Sequence, residues 1–121
     1  MADPDLTRDM LNKRLYVVDA APAEGSGERA AIFAEHIAFM VGLEREGVLF
    51  GSGPILGEDG KPSGHGLTIL RCGSAEEAEH IAGADPYVKA GFRTPRIREW
   101  QLMEGQVTVR LDFSTGRYVL D

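Results

Sequence analysis

Apolar positions along the chain fall into short unbroken runs separated by stretches with helical spacing, and this succession predicts the elements. Arg14 to Ala20 (RLYVVDA) is rich in β-branched and aromatic residues and stops before Pro22, which predicts a first strand. Glu28 to Glu46 repeats its apolar residues every three or four positions and predicts the longest helix, with Ser26 or Gly27 near its cap and Glu28 in its first turn. Val48 to Ser52 and His65 to Arg71 predict two strands joined by Gly57 to Gly64 (GEDGKPSG), turn chemistry throughout and expected as a long, mobile loop. Ser74 with Glu77 three residues later forms a capping box, starting a short helix from Ala75 to about Ala82. Asp85-Pro86 opens a helical turn, with Asp85 as N-cap and Pro86 at the first position, and Pro95 to Leu102 is the last core strand.

The order strand, helix, strand, strand, helix, strand predicts an α+β, ferredoxin-like βαββαβ domain whose helices cover one face of an antiparallel sheet. A sheet with one wet face should alternate apolar and polar residues, yet Leu15 to Val18, Val48 to Phe50 and Leu67 to Leu70 are nearly continuous apolar runs. Something must cover the second face, and the same sheet of a second subunit is the simplest cover, which predicts a homodimer. Around this core, residues 1–12 are expected as an N-terminal arm whose Leu6, Met10 and Leu11 either dock as a helix or stay loose. Residues 13–104 form the domain, and 105–121 extend it as a β-hairpin. In that hairpin Val107, Val109, Leu111 and Phe113 share one face, expected to be half-buried, and Ser114-Thr115-Gly116 turns the chain toward Arg117 to Leu120.

With 121 residues and a formal net charge of −6, the chain reads as one acidic domain. That balance argues against nucleic acid or an anionic membrane as partner, whose affinity comes largely from clustered Lys and Arg. No run approaches the roughly 20 apolar residues of a membrane span, and the N-terminus lacks the order of a signal peptide, so the expected location is the cytoplasm. The single cysteine, Cys72, has no partner for an internal disulfide and is expected as a small packed thiol.

The candidate chemistry centres on His36. At ~100° per residue, Ile32, Phe33, Phe39, Met40 and Leu43 lie within about 60° of it, so the imidazole sits in the middle of the apolar face of the long helix. It is either a core histidine bonded to a carbonyl or a water, or a functional group. Leu would pack there without the roughly 1–3 kcal/mol cost of burying an unpaired polar group. Gly51-Ser52-Gly53-Pro54 reads as a glycine-flanked turn. It is either a tight bend or a place where the Ser52 hydroxyl and the N–H groups of Gly51 and Gly53 hold a substrate oxygen. Of Arg93, Arg96 and Arg98, one can grip a substrate carboxylate as a fork, with Arg98 as the candidate; the alternative is solvated surface arginines. Tyr87 either caps a pocket or packs. His65 and His80 are scattered with no metal-ligand spacing, so no metal and no cofactor are expected.

His36-Ile37, Gly53-Pro54, the run Asp85-Pro86-Tyr87-Val88 followed by Ala90-Gly91, and Trp100 together resemble the YCII family over about residues 13 to 102. The resemblance implies a ferredoxin-like fold that dimerises as an α/β barrel, similar to muconolactone isomerase, and an active site built on a His–Asp pair, here His36 and Asp85. Family members with an assigned reaction act on small rings, dehydrochlorination included. A carboxylate bonded to one ring nitrogen would fix the imidazole tautomer and make the other nitrogen a base. Two expectations follow. One is a cofactor-independent lyase or isomerase moving a proton on a small cyclic or phenolic metabolite, with His36 and Asp85 catalytic and Ser52, Gly53, Tyr87 and Arg98 binding substrate. The other is a non-catalytic dimeric module that holds a small ligand or a partner protein.

Overall fold

The computed structural model describes residues 5–121, which divide into two units. Arg14–Gln101 is one; the other joins the described chain before it to Leu102–Asp121.

In the larger unit, β1 (Lys13–Pro22), α1 (Arg29–Arg45), β2 (Leu49–Leu56), β3 (Pro62–Leu70), α2 (Ala75–Gly83), α3 (Pro86–Lys89) and β4 (Arg93–Leu102) follow one another in the expected order. The antiparallel sheet has strand order β2-β3-β1-β4, the ferredoxin-like arrangement. Tyr16 faces Leu70 and Val18 faces Thr68 across the central pair. Because side chains alternate along a strand, Tyr16, Val18, Ala20, Thr68 and Leu70 point to one face and are buried there. Leu43 from α1 and Ala78 and Ala82 from α2 close over them. The opposite face carries Val17, Leu67, Ile69 and Trp100, half-buried or exposed in the single chain.

Each helix start has a local cause. Ser74 Oγ accepts from the Glu77 N–H at 3.1 Å, and Glu77 reaches back to the N–H of Gly73 at 2.9 Å. The expected capping box therefore forms with its second bond one residue earlier than the usual pattern. Glu28 is the N-cap of α1 and makes no side-chain cap bond. The loop before α1 is instead tied to the segment after α3: Ala23 N–H donates to the Phe92 carbonyl and Ser26 N–H to that of Ala90, both at 2.8 Å. Gly25 makes this possible. It has φ +66, and a Cβ there would lie 2.2 Å from the Phe92 ring.

Two local expectations change. The segment Gly51–Pro54 is strand rather than turn, paired residue for residue with Gly66–Ile69. β2 is an edge strand, where Pro54 is tolerated, and bulges absorb the register shifts on either side. The same extension shortens the expected long loop, since Leu56 already faces Pro62 and the Gly57 N–H bonds the Lys61 carbonyl at 2.8 Å.

In the smaller unit, residues 5–12 form hydrogen-bonded turns, not a helix, and Leu6 and Leu11 are exposed. Asn12, at φ +52, ties the turn together by donating to the carbonyls of Thr7, Arg8 and Met10. β5 (Val109–Leu111) and β6 (Tyr118–Leu120) make the terminal hairpin. Its apolar face, expected half-buried, is open: Val107 is 75% and Phe113 97% exposed. A two-stranded hairpin has no second layer of its own to bury that face.

Candidate functional site

His36 lies in the middle of α1, and Asp85 at the N-cap of α3, so the tertiary fold brings together groups 49 residues apart. His36 Nδ1 and Asp85 Oδ1 are 2.8 Å apart, and both side chains are buried. The same oxygen accepts the Tyr87 N–H at 2.9 Å. Asp85 is thus helix cap and histidine partner at once. A carboxylate accepts only, so Nδ1 carries the proton in this bond and Nε2 holds the lone pair of the neutral ring.

Nε2 has no protein partner among the described residues. No buried side-chain nitrogen or oxygen among them is left without one, so Nε2 is open to the space beside it. That space is a cavity of about 470 Å³, within the usual range for a small-molecule site. One face of α1 lines it: Arg29, Phe33, His36, Ile37, Met40, Val41 and Glu44 recur at three- and four-residue intervals. Leu49, Ser52, Gly53 and Pro54 of β2, the start of β3, Tyr87 and Arg93 complete the wall.

The Tyr87 ring stacks on the imidazole at 4.5 Å between centroids, 28° from parallel. Phe33 and Phe92 approach Tyr87 edge-on at 6.2 Å. His36 is therefore held by a hydrogen bond on one edge and an aromatic ring on one face, a geometry that fixes its orientation.

Of the residues expected at the site, the structure brings His36, Asp85, Tyr87, Ser52 and Gly53 together. Ser52 Oγ shares a 2.8 Å hydrogen bond with Thr68 Oγ1, and since Gly51 to Gly53 are paired strand, the oxygen-holding turn does not form. Arg98 is elsewhere. Its guanidinium pairs with Asp19, and its side chain lies beside Val17, Leu67 and Ile69 on the sheet face away from the helices. Side chains alternate along β4, so Arg96 and Arg98 share one face while Arg93, five residues before Arg98, takes the other and reaches the cavity.

Lining residues the sequence did not single out as site residues include Arg29, Phe33, Ile37, Met40 and Val41, while Arg93, weighed beside Arg98 as a carboxylate binder, takes the place expected of Arg98. Arg29 carried a usable signal, because a cation in the first turn of a helix opposes the helix dipole and calls for another reason to be there. Phe33 had the opposite problem. On the wheel it belongs with the core, yet it is 43% exposed at the cavity.

Cys72, half-buried beyond β3, lies outside the cavity, and burial pushes its thiol above the ordinary range. Among the described residues, no helix is long and apolar enough to cross a membrane.

The fold and this site define a ferredoxin-like domain with a buried His–Asp pair opening onto a small cavity. The chain belongs to the YCII-related family, whose domain matches residues 14–101. Among solved structures, 5-chloro-2-hydroxyhydroquinone dehydrochlorinase from Burkholderia phenoliruptrix, in complex with 2,5-dihydroxybenzoquinone, superposes with a TM-score of 0.55 at 22% identity. The match covers 71% of this chain and 92% of that one. At that identity the likeness establishes the shared fold. No curated protein matches the sequence significantly.

Proposed function

We propose that the chain is a cofactor-independent lyase or isomerase that moves a proton on a small cyclic or phenolic metabolite, with His36 as base and Asp85 as the residue that orients it. The observation that carries this reading is the pairing of Nδ1 with Asp85 at 2.8 Å while Nε2 stays open to the cavity. In the reaction, Nε2 takes a proton from a ring carbon or hydroxyl. The electron pair left behind forms a new double bond. The proton returns at another atom in an isomerisation; in an elimination, an anion departs from the neighbouring carbon. Asp85 stabilises the imidazolium formed in between, as the carboxylate does in hydrolase triads. The Ser52 hydroxyl and the edge of Gly53 bound the cavity opposite α1 and contact the bound ring. Membership of the YCII-related family supports the reading, as does a neighbour of the same fold that is a dehydrochlorinase solved with a quinone.

The chain is also proposed to work as a homodimer, its second sheet face covered by the same face of a partner. Val17, Leu67, Ile69 and Trp100 on that face support this, since they line an open apolar depression in the single chain.

The test is chloride release from 5-chloro-2-hydroxyhydroquinone, together with NMR detection of deuterium uptake by ring carbons of hydroquinones in heavy water. Both are run on the wild type and on His36→Gln. Chloride release or exchange that disappears in His36→Gln supports the reading; activity that survives the substitution overturns it.

A further inference from the structure

Two arginines face the His36 cavity without a carboxylate partner. Arg8, Arg14, Arg98 and Arg110 each pair with an acidic side chain; the other arginines have no such partner among the described residues, and of these Arg29 and Arg93 are the two that line the cavity. They are held in place by uncharged surfaces instead. The Arg93 guanidinium lies 4.7 Å over the Tyr87 ring, and that of Arg29 lies 5.1 Å over Phe92. Beneath Arg93 the chain has Gly66, buried in the interior of β3, where glycine ordinarily weakens a strand. A Cβ at that position would sit 2.5 Å from Arg93 Nη1 and 3.0 Å from Cζ. The glycine thus makes the seat for the guanidinium.

Stacking on a ring and on a bare backbone fixes a guanidinium without neutralising it or using up its in-plane donors. No buried side-chain nitrogen of the described residues lacks a partner, so the Arg93 donors are accessible from the spaces that Arg93 lines, the His36 cavity and a much smaller void that it shares with Asp85. Glu44, the one acid on the cavity wall, is 15 residues from Arg29 along α1, about 22 Å along the axis. It does not offset the positive charge at the Arg29 end. Asp85, the carboxylate beside the histidine, is engaged by His36 and the Tyr87 N–H and forms no ion pair with either arginine, so a chain of net charge −6 keeps two unpaired positive groups at this cavity.

We infer that Arg93, with Arg29 beside it, binds the carboxylate of the substrate, so that the ring taken by this cavity is a small cyclic or aromatic acid. The planar fork of Arg93 matches a carboxylate with two parallel N–H bonds, and the ring then lies against Phe33, Ile37 and Met40 with its reacting edge toward His36 Nε2. This rests on the cavity being a ring-binding site, and its test separates the two ideas.

Binding of 2,5-dihydroxybenzoate and of its neutral analogue 2,5-dihydroxybenzamide is measured by calorimetry at pH 7.5. The inference expects the acid to bind roughly 10- to 100-fold tighter than the amide, as charged hydrogen bonds typically deliver. Arg93→Met brings the acid down to the level of the amide, Arg93→Lys recovers part of the difference, and His36→Gln preserves the preference. Gly66→Ala, with Arg93 intact but displaced, reduces the preference as well. Equal affinity for acid and amide in the wild type overturns the carboxylate assignment and leaves the ring-binding reading standing. A preference that survives in Arg93→Met overturns the assignment to Arg93. Failure of both compounds to bind at millimolar concentration overturns this inference and the ring-binding reading together. The wild-type comparison decides the matter even if a variant fails to fold.

Discussion

Asp85 Oδ1 holds two donors, the His36 ring and the Tyr87 backbone, and the two roles separate by substitution. Asp85→Asn keeps an oxygen for the Tyr87 N–H but favours the wrong imidazole tautomer. It should leave the melting temperature nearly unchanged and lower turnover by about 10²- to 10⁴-fold. Asp85→Ala removes the cap, worth about 0.5–2 kcal/mol, and also orphans a buried ring nitrogen, so urea unfolding should show a loss of roughly 2–4 kcal/mol. If both variants lose stability equally, the cap and the histidine bond are not separable. Cys72 gives a prediction with a sign. Desolvation favours the neutral thiol, so less thiolate is present at neutral pH than in free cysteine. Alkylation by iodoacetamide at pH 7 should be slower than that of a cysteine peptide and should accelerate as pH rises. A rate at pH 7 matching or exceeding the peptide's would contradict the burial.

At the scale of elements, α1 is unusual in being apolar on more than its core side. Leu43 meets the sheet, while Phe33, Ile37 and Val41, four residues apart, face the cavity half-exposed. A helix optimised only for packing would place polar residues there. Replacing Ile37 by Gln should therefore cost little stability, within about 0.5 kcal/mol, as for other exposed positions, yet weaken binding of an apolar ring. Thermal denaturation and calorimetry on the same variant would show whether the two effects separate. In α2, by contrast, Ser74→Ala removes the cap bond to the Glu77 N–H and should cost about 1 kcal/mol with no change at the site.

At the scale of the molecule, the sheet face of Val17, Leu67, Ile69 and Trp100 and the face of the terminal hairpin are apolar surfaces left partly or largely exposed among the described residues. For the proposed homodimer, light scattering at micromolar concentration should give twice the chain mass of 13.1 kDa. A stable monomer at that mass would remove the reason offered for the apolar strands. If the hairpin contributes, deleting residues 106–121 should weaken the dimer; an unchanged dimer would leave Val107, Leu111 and Phe113 without that role.

The sequence by itself determined the order of elements, because apolar period and capping chemistry are local: Ser74 with Glu77, and Asp85 before Pro86, name helix starts without reference to anything distant. Together with the family motif it also singled out His36 and Asp85, residues whose types have a stated chemical use and which the fold places in contact. What lines the space around them was decided only in three dimensions. Whether Phe33 faces core or cavity depends on where β2 lies beside α1, and the wheel around His36 carries no information about that. Arg93 and Arg98 both looked like candidate anion binders. Their separation depends on which sheet face each residue takes, on Asp19 waiting across the strand for one, and on a buried Gly66 making room for the other. Those are facts of register and of close approach between strands remote in sequence. Local periodicity records neither, because the energies that set them arise only once the sheet has formed.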